Sequence, residues 1–147
     1  MSDTHPLIIR AAVAEAVASR FIGRAFAWGE ADCAVMAHEV LTGFGLTSPW
    51  PKSRGYGTER GARKAMKRLG YTGIDDALDR LGLERIAPAF ALPGDLLGFE
   101  SSSPAFGVAL GVTLSAGKCC AFIDDTSIGF IAVVGWAHFA KTAWRVI

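Results

Sequence analysis

The chain has 147 residues with a formal net charge of +1, and 51% of its residues are hydrophobic. A chain of this length fits a single domain over residues 1–147, and a charge near zero argues against a protein whose main partner is nucleic acid. The polar start of the chain does not resemble a signal peptide, and the most apolar stretch, residues 128–137, falls short of the ~20 residues that span a bilayer. We therefore expect a protein made in the cytosol, with no membrane insertion and no disulfide framework from its three cysteines.

Helices are predicted in the first part of the chain, about 7–86, where apolar residues recur at helical spacing. The four predicted helices are Leu7 to Ile22, Cys33 to Leu41, Thr58 to Leu69 and Asp75 to Leu81. Asp32 and Thr58 are of the residue types that cap helix N-termini, and Gly23 and Gly70 are of the type that ends helices.

Strands are predicted in the second part of the chain, about 93–147, where apolar runs are separated by Gly, Ser or Asp turns. The five predicted strands are Asp95 to Phe99, Phe106 to Leu114, Cys119 to Ile123, Ile128 to Val134 and Ala143 to Val146. Helices followed by an antiparallel sheet are the order of an α+β domain. We expect the helices to pack on one side of this sheet.

The thiol of Cys33 lies at the predicted start of the second helix. Free N–H groups and the helix dipole favour a thiolate there, and the same N–H groups can stabilise an oxyanion during acyl transfer. Cys33 is therefore a candidate nucleophile. The alternative is that Cys33 is a small buried residue, since free cysteine is among the most buried residue types.

Three motifs around this cysteine resemble those of the NlpC-type branch of the papain-like cysteine peptidases. They are Trp28-Gly29 followed by Asp32-Cys33, then Pro93-Gly94-Asp95, then Ala105 to Gly111. In that family an aromatic-Trp-Gly approach precedes Asp-Cys, a Pro-Gly-Asp turn enters a strand, and the next strand begins with His-Val-Gly. The resemblance implies a papain-like, NlpC-type fold with Cys33 in the place of the nucleophile.

The resemblance also implies that the peptidase site is incomplete. The family's catalytic histidine falls on Ala105, which cannot transfer a proton. The histidines of the chain are elsewhere: His5 near the start, His138 near the end, and His38, which points about 140° away from Cys33 around a helix. A cysteine nucleophile normally needs an aligned base, so we expect no peptidase activity.

A closer resemblance is to small proteins encoded among the tail genes of phages and prophages. The residues that carry it are the approach from Gly23 to Gly29, the Asp-Cys pair, a basic helix containing Gly61-Ala62-Arg63, and Ala143-Trp144-Arg145-Val146. This resemblance implies a structural or accessory component of the tail tip in the virion, made in the host cytoplasm. Its implied partners are other tail-tip proteins, with peptidoglycan as a further possibility.

Two alternatives stay open. One is an active peptidoglycan endopeptidase that uses Cys33 with a base recruited from elsewhere in the fold. The other is a host-encoded domain that binds a peptide or acyl chain in the former cleft. A polar residue within reach of the Cys33 sulfur would favour the enzyme, whereas a largely apolar, closed surround would favour neither chemistry nor peptide binding.

A basic segment between residues 52 and 68 is a candidate contact with an acidic neighbour or with an anionic cell-wall polymer. The interface candidates are Arg60, Arg63, Lys64, Lys67, Trp136 and Trp144. The alternative is a solvated helix face with apolar residues turned inward. No aromatic platform is interleaved with these charges, which argues against nucleic acid. The clustered aspartates at 75–79 and 124–125 lack the spacing of a calcium loop, so we predict neither a metal nor a cofactor.

Overall fold

The computed structural model describes residues 5–50, 55–125 and 129–147, with the backbone alone for residues 124, 125 and 129–131. Within these ranges the helices are α1 (Pro6–Phe21), α2 (Cys33–Gly43), α3 (Glu59–Arg68) and α4 (Ile74–Arg80). The strands are β1 (Glu84–Ile86), β2 (Leu96–Glu100), β3 (Val108–Thr113), β4 (Lys118–Asp125), β5 (Gly129–Trp136) and β6 (Thr142–Arg145). Short 3-10 turns occur at Pro88–Phe90, Pro104–Phe106 and Ala137–Phe139.

Side-chain caps define the starts of the first three helices. His5 caps α1 by accepting a hydrogen bond from the Leu7 N–H, and Asp32 caps α2 through the Val35 N–H. Thr58 caps α3 in the same way, so both predicted cap residues are confirmed. The four predicted helices are likewise confirmed, with bounds that differ by a few residues.

The strands form one antiparallel sheet in the order β1-β6-β2-β3-β4-β5. Strands β2 to β5 follow one another as hairpins, and β6 then returns between β1 and β2. The predicted α+β class is confirmed. Strand β1 was not predicted, because three residues at a sheet edge carry too short a pattern.

Strand β3 begins later than predicted. Residues Pro104–Phe106 form a 3-10 turn, and Gly107 follows with φ of +80°. The positive φ favours glycine there, and a Cβ atom would in addition make the Asp75 carboxylate of α4 move aside. The predicted start of β5 at Ile128 lies outside the described residues.

Both faces of the sheet are covered. Helices α1, α2 and α4 pack on one face, which contributes Leu110 and Cys120 to the main core. On the opposite face the turns at 88–90 and 137–139 cover a smaller cluster that includes Leu97 and Cys119. Cys119 and Cys120 are adjacent and both buried, since successive strand residues point to opposite faces and both faces are covered here.

A buried carboxylate, that of Asp95, links helix α1 to strand β6 through two ion pairs. Asp95 has no solvent exposure, and it pairs with Arg10 of α1 and Arg145 of β6, each at 2.9 Å. It also accepts hydrogen bonds from the Leu92 and Val146 N–H groups, each at 2.9 Å. Two residues of predicted motifs, the aspartate of Pro-Gly-Asp and the arginine of Ala-Trp-Arg-Val, therefore serve the same internal cluster.

Candidate functional site

The approach to Cys33 is held by its neighbour Asp32. One Asp32 oxygen caps α2, and the other accepts hydrogen bonds from the Gly29 N–H at 2.9 Å and the Tyr56 hydroxyl at 2.7 Å. Gly29 has φ of +79°, and a Cβ atom there would collide with the Tyr56 carbonyl oxygen. The Trp-Gly and Asp-Cys motif thus has a structural reason: it forms a tight turn that places Cys33 at the first position of α2.

Cys33 lines a cavity of about 290 Å³ between the start of α2, helix α3 and strand β3. Burial, followed by the nearby Asp32 carboxylate, raises the pKa of the Cys33 thiol to about 12. Backbone groups of Leu110 and of the helix start act in the opposite direction but are outweighed. The helix start acts on the pKa in the expected direction, but burial outweighs it. At neutral pH the sulfur carries its proton.

Ala105 is not among the residues that line the cavity beside Cys33. It is exposed in the 3-10 turn before β3, whereas its neighbour Phe106 lines the cavity. Among the described residues that line the cavity there is no histidine. His5 caps α1, and His138 lies in the turn at 137–139 against the rings of its aromatic neighbours.

Aromatic rings form much of the cavity wall. The aromatic lining residues are Phe26, Trp28, Trp50, Tyr56, Phe106 and Phe122. Phe26 packs edge-on against both Trp28 and Phe122, with ring centroids 4.7 and 5.4 Å apart. Phe106 stacks at a tilt on Trp28, at 5.7 Å. These contacts fix the rings relative to one another, so the wall is preformed.

Part of the polar wall comes from the end of β2 and the loop that follows it. Glu100 and the serines at 101–103 line the cavity there. Ser103 hydrogen-bonds Glu59 at the start of α3, and Ser101 accepts from the Ser103 N–H at 3.1 Å. Sequence reasoning missed this loop, because a run of small polar residues is typical of any turn.

A family model described as a domain of unknown function, DUF6950, matches residues 9–146 of the chain. The chain belongs to the DUF6950 family. A comparison with curated proteins found no match. In the described part of this DUF6950 chain, no helix combines the length and the apolar character needed to cross a bilayer.

Helix α3 has two distinct faces in this DUF6950 domain. Its apolar residues Ala62, Ala65, Met66 and Leu69 line the cavity. The predicted interface cations Arg60, Arg63, Lys64 and Lys67 are exposed and surround a shallow surface depression. Across the described ranges, none of these four cations forms an ion pair. Lys52 and Arg54, from the same basic segment, lie outside the described residues.

The two tryptophans predicted at an interface have different environments. Trp136 is 52% exposed at the end of β5, so its interface role stays a prediction. Trp144 has no solvent exposure; its indole N–H donates to Asp79 at 2.9 Å, and Arg85 lies 4.7 Å from its ring. The prediction for Trp144 is wrong, because this side chain is part of the core and offers no surface to a partner.

The aspartates at 75–79 are engaged with cations of the same chain. Asp79 accepts two hydrogen bonds from Arg85, which are the main cause of its lowered pKa. Asp76 pairs with Arg80 at 3.3 Å and accepts from the Thr72 N–H. In the described structure these aspartates hold α4 in place and link it to β1 through Arg85. The side chains at 124 and 125 lie outside the described set.

Proposed function

We propose that this DUF6950 domain is a non-catalytic component of a phage or prophage-derived tail tip, built on an NlpC-type papain-like fold that has lost its peptidase site. The fold part of the proposal is supported by the position of Cys33 at the first turn of α2, packed against β3. The order of helices followed by an antiparallel sheet agrees with it. The tail-tip part depends on the sequence motifs described above.

The observation that carries the loss of activity is the surround of Cys33. Its thiol has a pKa of about 12, so only about one molecule in 10⁵ holds a thiolate at pH 7. The described cavity lining offers aromatic rings, serines and carboxylates, but no imidazole that would take the thiol proton. A nucleophile without its base loses several orders of magnitude in rate in related systems.

The outer face of α3 supports a structural role. Its exposed cations form no ion pair within the described part of the chain. They are therefore hydrated and available to an anionic partner surface. Four of them lie within eight residues, from Arg60 to Lys67, on the helix face opposite the cavity. Such a patch orients a docking partner and makes the contact sensitive to salt. The partner we propose is an acidic surface of a neighbouring tail-tip protein.

The test compares two changes in the phage or prophage that encodes the chain. Cys33→Ala should leave particle yield and infectivity unchanged, since the thiol performs no chemistry. Arg63→Glu combined with Lys67→Glu should lower the yield of complete particles at least tenfold. The matched control is Lys118→Glu with Lys141→Glu, which changes the net charge equally at exposed positions outside α3.

Purified protein should show no release of stem peptides from peptidoglycan above a no-enzyme control. The proposal fails if Cys33→Ala leaves particles intact but abolishes infection, or if wild-type turnover disappears in that variant. Either result would favour the active endopeptidase instead. If the α3 reversal and its control reduced assembly equally, the patch would have no specific role.

A further inference from the structure

The cavity beside Cys33 has the size of a small-ligand site. Its volume of about 290 Å³ corresponds to roughly ten water-sized groups at ~30 Å³ each. Ala62 and Leu69 both line it, and seven residues of helix separate them by about 10 Å. The cavity therefore runs beside about two turns of α3.

The charges of the lining disfavour anions. Asp32 and Glu100 are acidic, and among the described lining residues there is no lysine, arginine or histidine. A carboxylate or phosphate inside would lie near like charge, and the described lining offers it no cation. A charged group of either sign would also lose its hydration against the largely apolar wall. A peptide group would likewise lose hydrogen bonds to water, and Asp32 already receives three hydrogen bonds from the protein.

We propose that this cavity binds an uncharged molecule with an unbranched hydrocarbon chain of about eight to ten carbons. The chain lies along the apolar face of α3, between Ala65 and Met66 on one side and the aromatic wall on the other. The polar head, an alcohol, amide or ester, lies at the serine loop of residues 101–103. This binding function goes beyond the proposed tail role and does not depend on it.

The test is a series of unbranched primary alcohols from six to fourteen carbons, titrated into the full chain by calorimetry. Affinity should rise about fourfold per methylene, because each buried methylene contributes ~0.8 kcal/mol. The rise should level off near ten carbons, where the cavity is full. Decanoate should bind at least tenfold more weakly than decanol at pH 7, because of the acidic lining.

Two variants locate the binding. Ala65→Phe places a ring into the cavity and should lower decanol affinity at least tenfold, whereas Ala12→Phe, at an exposed position of α1, should leave affinity unchanged. If circular dichroism shows that Ala65→Phe does not fold, Ala109→Leu fills the cavity from β3 instead.

Several outcomes would overturn the proposal. Absence of binding by any alcohol would show that the cavity takes no hydrocarbon. Affinity that does not depend on chain length, or that is the same in the cavity-filling and control variants, would place binding elsewhere. Tighter binding of decanoate would indicate an anion site. If naphthalene bound as tightly as decanol, the cavity would select a planar ring and not a hydrocarbon chain. The tail role would stand in each case.

Discussion

Replacement of Asp95 by Asn should strongly destabilise the fold. Asp95 is completely buried, and its two oxygens accept four hydrogen bonds, from Arg10, Arg145 and two backbone N–H groups. Asparagine keeps the shape, but it removes the negative charge and replaces one acceptor oxygen by an NH₂ group that faces other donors. Arg10, which is also buried, then loses its carboxylate partner and keeps the backbone oxygens of Pro93 and Ile147 as acceptors.

The magnitude follows from the burial of the pair. Breaking a buried ion pair by removing one partner costs about 3–5 kcal/mol. For a chain of this length, 1 kcal/mol corresponds to a change of about 2–4 °C in Tm, so we expect a decrease of roughly 6–20 °C. The matched control is Glu39→Gln, which breaks the exposed pair with Arg20 and should cost less than about 1 kcal/mol.

Urea unfolding followed by tryptophan fluorescence and circular dichroism measures both variants. The cost of Asp95→Asn should change little between low and high salt, because salt screens buried pairs weakly. A double variant, Asp95→Leu with Arg10→Met, should lose less than the sum of the two single changes, since it leaves no buried charge from that pair. A loss below about 1 kcal/mol for Asp95→Asn would refute the reasoning, because breaking a buried ion pair should cost more than that.

Three further predictions concern the thiol, a turn and the core. Alkylation of Cys33 by iodoacetamide at pH 8 should be roughly 1,000-fold slower than that of a free thiol, because a raised pKa keeps the proton on sulfur. The rate should rise about tenfold per pH unit. Peptide mass spectrometry measures the rate, and a plateau near pH 8 would contradict the prediction. Gly29→Ala should cost more than about 2 kcal/mol, against about 1 kcal/mol for Gly82→Ala. Both glycines have positive φ, but only at Gly29 would a Cβ atom collide with a backbone oxygen, that of Tyr56. Equal losses in urea unfolding would argue against that contact. Trp144→Phe should lower the free energy of unfolding by about 1–3 kcal/mol and Trp136→Phe by less than about 0.5 kcal/mol, because only Trp144 is buried. The reverse order would place Trp136 in the core.

The sequence by itself determined the helices, most of the strands and the α+β class. Their signals are local: apolar spacing within one element, a cap residue such as Asp32, and glycine where a turn begins. Asp32 was recognised as a cap, but its hydrogen bond to Tyr56 was not, because the two residues are distant in sequence and meet only in the folded chain.

The tertiary structure alone decided the chemistry of the site. The helix start at Cys33 favours a thiolate, and only the packing of α3 and the aromatic rings around the sulfur shows that burial outweighs it. Trp144 reads as an interface residue in sequence, yet coverage of the sheet by helices buries it. Arg10 and Asp95 are separated by 85 residues and pair because the fold brings α1 next to the residue that precedes β2. Burial and charge pairing depend on neighbours from the whole chain, and a local sequence pattern does not contain that information.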